Sequence, residues 1–304
     1  MPPFYFGSII FVKKVFVIYN ITTMEYTSKI ENQTFEEERS LYNSKNALIR
    51  NCKFSGPKDG ESPFKESKDI LVEDCSFDLR YAFWHVNNGE IKDTKFSNTA
   101  RAPFWYCKDI KVDNVQSESV KVFRECKNVL ILGSNYVSEE PFWRCKNISV
   151  FSSKLSGFYA FFECKGVHIK DVNFTGKYSF QYNKNLVIEN SNLDTKDAFW
   201  HCKDVIVVNS YIKGEYIGWY SNNMIFINCT IESHQPFCYS KNLKFINCKM
   251  PNCDLAFENS TVKGNLIGEI DSIKNPIKCV LKVDNVKEVI KDSPLHKVKI
   301  KLLK

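Results

Sequence analysis

The sequence predicts an all-β fold: a right-handed parallel β-helix, or solenoid, of about 19 residues per coil and roughly twelve coils. Three observations carry that reading. A phenylalanine recurs at Phe64, Phe83, Phe104, Phe123, Phe142, Phe161, Phe180 and Phe199, and Gly218, Phe237 and Phe257 continue the series. β-branched pairs follow it at a fixed distance. Asn, Asp or Gly then stands wherever the chain has to turn.

Each element follows from its distance to that phenylalanine. Six and eight residues on come Ile70/Val72, Ile110/Val112, Val129/Ile131, Ile148/Val150, Val167/Ile169, Leu186/Ile188 and Val205/Val207. An apolar alternation of two describes a short strand with one buried face. Small residues follow at eleven (Cys52, Cys75, Thr94, Ser134, Ser153, Ser191) and bulky ones at thirteen (Phe54, Phe77, Phe96, Tyr136, Phe174, Ile212). No stretch within a repeat has room for a helix of about ten residues. Three short strands per coil, and hence three sheets along the rod, is the arrangement expected.

The turn residues agree. Five residues after the phenylalanine only Asn, Asp or Gly occurs, from Asn46, Asp69 and Asn88 to Asn223 and Asn242. These types tolerate a left-handed backbone. A second polar series (Asn51, Asp74, Asp93, Asn114, Asp171, Asn190, Asn209, Asn228, Asn247) lies ten residues on. Amides stacked about 4.8 Å apart are placed to bond along the axis as an asparagine ladder. The first rung is expected near residue 30, where Ile30, Asn32 and Phe35 precede Ile49, Asn51 and Phe54 by 19.

One continuous repeat implies one domain over residues 24–290, preceded by an apolar extension, 1–23, and followed by a Lys-rich tail, 291–304, expected over the open end. Residues 1–23 are interrupted by Lys13 and Lys14. They read either as a start placed too early, with initiation at Met24, or as a signal peptide without a basic first segment. No segment reaches the ~18 apolar residues that cross a bilayer, so no membrane partner is expected.

Twelve cysteines are explained by position. Cys107, Cys126, Cys145, Cys164 and Cys202 stand three after the phenylalanine, where other coils carry Ser44, Ser67, Asn183, Ser221, Ser240 or Ser260. Cys exchanging with Ser marks a need for a small side chain. Stacked Cβ atoms about 4.8 Å apart are too far for a relaxed disulfide. There is no C-x2-C pair, so no zinc, and no cofactor motif of another kind. Free thiols in this number suit a reducing, cytoplasmic compartment; secretion is the alternative.

The first two positions after the phenylalanine are the candidate site. Trp84, Trp105, Trp143, Trp200 and Trp219, all five tryptophans, occupy the first; His85, Tyr106, His201 and Tyr220 are among those at the second. Lys65, Arg124, Gln181 and Glu258 share the first position, which implies that it faces solvent. An exposed aromatic ladder is a platform for sugar rings or bases, or else a stack that covers the sheet. In the middle coils this face is charged: Arg124, Glu125, Arg144, Glu163. Glu125 and Glu163 are two coils apart, roughly 9.6 Å by strand spacing, near the upper end for inverting glycoside hydrolysis. The alternative is a plain ion-pair ladder. A basic row lies beside them. Lys45, Lys68, Lys108, Lys127, Lys146, Lys165, Lys184, Lys203 and Lys241 share one position, in a chain of formal net charge +7. Such a row either follows a polyanion, acidic glycan or nucleic acid, or is a solvated turn that discourages lateral pairing.

No inserted loop exceeds about four residues (56–62) and no aspartate cluster suits a calcium site, so the coil supplies no lid for an enzyme. A binding or scaffold protein is therefore the first reading, a carbohydrate-active enzyme on the same face the second, and a self-associating structural rod the third.

The strings TFEEERSLYNSKN (34–46), ESPFKESKDI (61–70), DAFWHCKDV (197–205), GEYIGWYSNN (214–223) and LAFENSTV (255–262) resemble domain-of-unknown-function family 3737. This is a set of parallel β-helix proteins of the pectin-lyase-like superfold. The resemblance runs from about Lys29 to Ile290. It implies the fold, an intracellular protein and a start near Met24. It implies no catalytic residue, because no activity is established for that family.

Overall fold

A computed structural model describes residues 25–56, 61–295 and 297–303; the N-terminal extension 1–23 lies outside the described residues. The chain is a parallel β-solenoid with no helix among the described residues. Its longest sheet has fifteen strands, from Ser28–Glu31 through Lys127–Leu132 and Lys203–Val208 to Lys278–Lys282 and Ile300–Leu303. The C-terminal Ile300–Leu303 adds to the sheet as a strand parallel to Lys278–Lys282. Strands pair in register one coil apart, as in Ile110↔Val129↔Ile148↔Val167↔Leu186↔Val205.

A second sheet has eleven strands, from Thr34–Phe35 to Thr230–His234. The third expected sheet is short: only Phe83–Trp84, Phe104–Trp105 and Phe123–Arg124 form strands. The reason lies in the backbone. From Phe142 onward the phenylalanine itself turns left-handed, with φ of 60° at Phe142, 57° at Phe161, 59° at Phe180 and 60° at Phe199, and the segment becomes a turn. At Gly218 (φ 73°) glycine fills that conformation, and an added Cβ would lie 2.6 Å from the Phe237 ring.

The phenylalanines are the interior. Phe64, Phe83, Phe104, Phe123, Phe142, Phe161, Phe180 and Phe199 are fully buried and stack along the axis, at 4.5 Å for Phe104–Phe123 and 4.4 Å for Phe142–Phe161. Phe35, Phe54, Phe77 and Phe96 form a second stack that meets the first edge-on. Each buried ring contributes about 1.5–3 kcal/mol from apolar area alone.

Both Asn/Asp columns are left-handed. Asn46, Asp69 and Asn128 have φ of 49°, 55° and 56°, and Asn51, Asp74 and Asn190 have 50°, 51° and 48°. Both also bond along the axis: Asn147 Nδ2 donates to Asn128 Oδ1 at 2.9 Å, and Asn228 Nδ2 to Asn209 Oδ1 at 3.1 Å. Asn209 and Asn228 are exposed and Asn128 and Asn147 half-buried, so the amides fix the turns and cover polar groups only in part.

The buried small residues have a polar duty as well. Cys107, Cys164 and Cys202 Sγ donate to the carbonyls of Phe83, Phe142 and Phe180 in the preceding coil, at 3.0, 2.7 and 2.8 Å. Asn183 and Ser240 do the same toward Phe161 and Gly218. The column therefore requires a short donor, which Cys, Ser and Asn all supply. All twelve cysteines are free and buried.

Candidate functional site

The first position after the phenylalanine is half-buried, which corrects the expectation that it faces solvent. Trp143, Trp200 and Trp219 donate their indole N–H to the carbonyls of Tyr159, Tyr216 and Gln235, at 2.8, 2.7 and 2.8 Å, sixteen residues on. Gln181, buried in the same column, bonds the Asp197 carbonyl in the same way at 3.0 Å. Charged residues fit because they lie over a neighbouring ring: Lys65 Nζ is 4.6 Å from the Trp84 centroid, and the Arg124 guanidinium is 4.6 Å from that of Trp143. Trp84 and Trp105 stack on each other at 6.0 Å. Their indole nitrogens are buried without an acceptor. Trp143, Trp200 and Trp219 thus hold the turn between the second sheet and the next phenylalanine.

The second position is exposed, and its backbone is left-handed throughout: φ is 58° at His85, 55° at Tyr106, 56° at His201 and 57° at Tyr220. This conformation directs the side chains out. Tyr182, His201, Tyr220 and Tyr239 stack at 4.8, 5.1 and 4.9 Å with interplanar angles of 5°, 7° and 11°. His85 and Tyr106 repeat the pattern at 5.1 Å. Each interior ring has its faces covered by its neighbours. The ladder therefore presents ring edges, phenol hydroxyls and imidazole nitrogens; it is no open platform for stacking.

The middle coils carry paired charges. Arg144 Nε lies 2.9 Å from Glu163 Oε2, and Arg124 holds Glu140 at 3.0 Å. Glu125 and Glu163 share the exposed column two coils apart, with Arg144 between them. Within this column the one ion pair among the described residues is Arg144–Glu163.

Two residues beyond this edge runs the lysine row, exposed at every coil where it is lysine. Lys108, Lys127, Lys146, Lys165, Lys184 and Lys203 are in direct register across consecutive strands. Lys68 and Lys108 are paired with Asp69 and Asp109, at 3.6 and 3.3 Å. Among the described residues, Lys127, Lys146, Lys165, Lys184 and Lys203 form no ion pair. Like charges directly opposite on a sheet cost a few tenths of a kcal/mol per pair, so this row retains a small unrelieved repulsion.

A third feature has no counterpart in the sequence reading. On the eleven-stranded sheet a groove of about 520 Å³ runs along the axis between two outward rows. One is Thr175, Asp194, Lys213, Glu232; the other is Phe158, Lys177, Lys196, Glu215, His234. Apart from Lys177 and Lys196 no residue type repeats within either row, which hides them from a search for columns. The available signal was glycine at 157, 176 and 214, steps of one and two coils. No group of His, Cys, Asp or Glu among the described residues is arranged to hold a metal ion, and no described helix is long and apolar enough to cross a membrane.

The family described as "Protein of unknown function (DUF3737)" matches residues 28–302. No curated protein matches the sequence. Among solved structures the chain is similar to PfbA, a surface adhesin of Streptococcus pneumoniae, at 8% identity and a TM-score of 0.37, over 90% of this chain and 81% of that one. It is similar to a GH136 lacto-N-biosidase from Eubacterium ramulus at 9% identity and a TM-score of 0.32, over 90% of this chain and 62% of the enzyme. It is similar to a double mutant of the periplasmic alginate epimerase AlgG at 9% identity and a TM-score of 0.31, over 85% of this chain and 77% of that one.

Proposed function

This chain belongs to the DUF3737 family of proteins of unknown function, and we propose that it is a binding protein whose ligand is an acidic glycan laid along the lysine row. One observation carries the reading: five consecutive in-register lysines, Lys127 to Lys203, that no carboxylate neutralises among the described residues. An extended polyanion parallel to the axis would meet one ammonium about every 4.8 Å and relieve their repulsion.

The neighbouring edge selects between polyanions. Single-stranded nucleic acid is held by bases stacked on open aromatic faces. The faces of His201 and Tyr220 are covered on both sides by the rest of the ladder. Phenol and imidazole edges instead offer hydrogen bonds to hydroxyl groups, which a glycan has on every ring. The role of His85, Tyr106, His201 and Tyr220 in this reading is polar contact, while Trp84, Trp105, Trp143, Trp200 and Trp219 support the edge from beneath.

Calorimetric titration with an oligogalacturonate tests this. The unsubstituted chain should bind at low salt, and Lys165→Glu combined with Lys184→Glu should abolish the heat. Undiminished binding by that variant would refute the assignment to the lysine row.

A further inference from the structure

We infer that the groove on the eleven-stranded sheet is a second, separate binding site, for a neutral oligosaccharide segment.

Its charges balance. The lining holds three carboxylates, Asp194, Glu215 and Glu232, against three ammonium groups, Lys177, Lys196 and Lys213, with His234 beside them. A polyanion or polycation gains no net attraction there, in contrast to the lysine row. What such a surface offers a ligand is many hydrogen-bond donors and acceptors at close quarters, the match for a chain of hydroxyl groups.

Several of those groups are already oriented. Glu232 accepts from the Tyr211 hydroxyl at 2.8 Å and from Asn252 Nδ2 at 3.2 Å. Lys196 Nζ is 2.6 Å from Glu215 Oε2 and lies over the Tyr216 ring. His234 Nδ1 is 2.8 Å from Asp254 Oδ1. With Nδ1 engaged by Asp254, Nε2 is the ring nitrogen left for a ligand. Groups held in place before binding lose little entropy when a ligand arrives.

The floor is low and one end is apolar. Gly176 and Gly214 lie between the rows, where a Cβ would meet a carbonyl oxygen of the preceding coil at 1.9 Å, so only glycine fits this close pass. At the N-terminal end stands Phe158, 43% exposed. Unlike the tyrosines of the other edge, it makes no aromatic contact among the described residues. Its exposed apolar surface is the kind that packs against the C–H face of a pyranose. From Phe158 to His234 is four coil spacings, roughly 20 Å, the reach of a tetrasaccharide. The groove volume lies within the ordinary range for small-ligand sites.

The test is titration of the full chain with cellotetraose, xylotetraose, mannotetraose and maltotetraose, followed by saturation-transfer NMR and calorimetry. At least one should bind with an affinity that does not change between 20 and 300 mM salt. Phe158→Ala and Glu232→Gln should each weaken it tenfold or more, and the lysine-row variant should leave it unchanged. Failure of all four sugars to bind would overturn the inference, as would binding that survives both groove substitutions. Loss of binding in the lysine-row variant would also overturn it, by placing the sugar at the other site.

Discussion

Trp200 donates its indole N–H to the carbonyl oxygen of Tyr216 at 2.7 Å, a bond from one turn of the solenoid to the start of the next. Trp143 and Trp219 make the same bond. Trp200→Phe keeps the stacking surface and removes the donor. It should lower unfolding stability by about 1 kcal/mol, the ordinary worth of such a bond. A urea titration followed by far-UV circular dichroism measures this. No change in the midpoint would mean the bond contributes nothing.

The groove glycines and the ladder glycine should behave oppositely. Gly176→Ala forces a Cβ to 1.9 Å from a carbonyl and should destabilise by more than about 2 kcal/mol, since the backbone has to move. Gly133, at φ 53°, has open space around its Cβ position and stands in the column otherwise held by Asn114, Asp171 and Asn190. Gly133→Asn should be neutral to stabilising by about 0.5 kcal/mol, because Asn tolerates the conformation and has fewer unfolded states. Thermal melts of the two variants side by side decide it.

Burial pushes the thiols of Cys75, Cys202, Cys238 and Cys279 up to about 12 from the usual 9.0. Each folded-state value lies above the unfolded one, so between them the unfolded chain has already lost a proton that the folded chain keeps. Their contribution to stability is complete below pH 9 and is lost as pH rises toward 12. Stability should fall progressively across that window. A neutral disulfide reagent at pH 8 should leave the thiols intact until denaturant is added. Rapid labelling of the native protein would contradict their burial.

Much of this was legible in the sequence. The phenylalanine column, the β-branched pairs and the left-handed Asn/Asp positions each repeat one residue type at one distance, and periodicity exposes that. The partial burial of the tryptophans is not legible in the sequence, for a physical reason. Lys65, Arg124 and Gln181 argue for solvent only when the acceptors and rings that shelter them are unknown, and those lie sixteen to nineteen residues away. Ring orientation was equally out of reach, since a column of Tyr and His says nothing of whether faces or edges point outward. The groove has no such signature, because apart from Lys177 and Lys196 its rows change chemistry from coil to coil.

The central claim is that the lysine row holds an acidic glycan, and the most direct measurement is the salt dependence of binding to an oligogalacturonate. If the five unpaired lysines contact the ligand, the logarithm of the association constant should fall with that of salt concentration with a slope of about −3.5, by counterion release. An oligothymidylate at equal charge should bind more weakly at every salt concentration. A slope near zero, equal affinity for the two polymers, or no binding at 20 mM salt would contradict it.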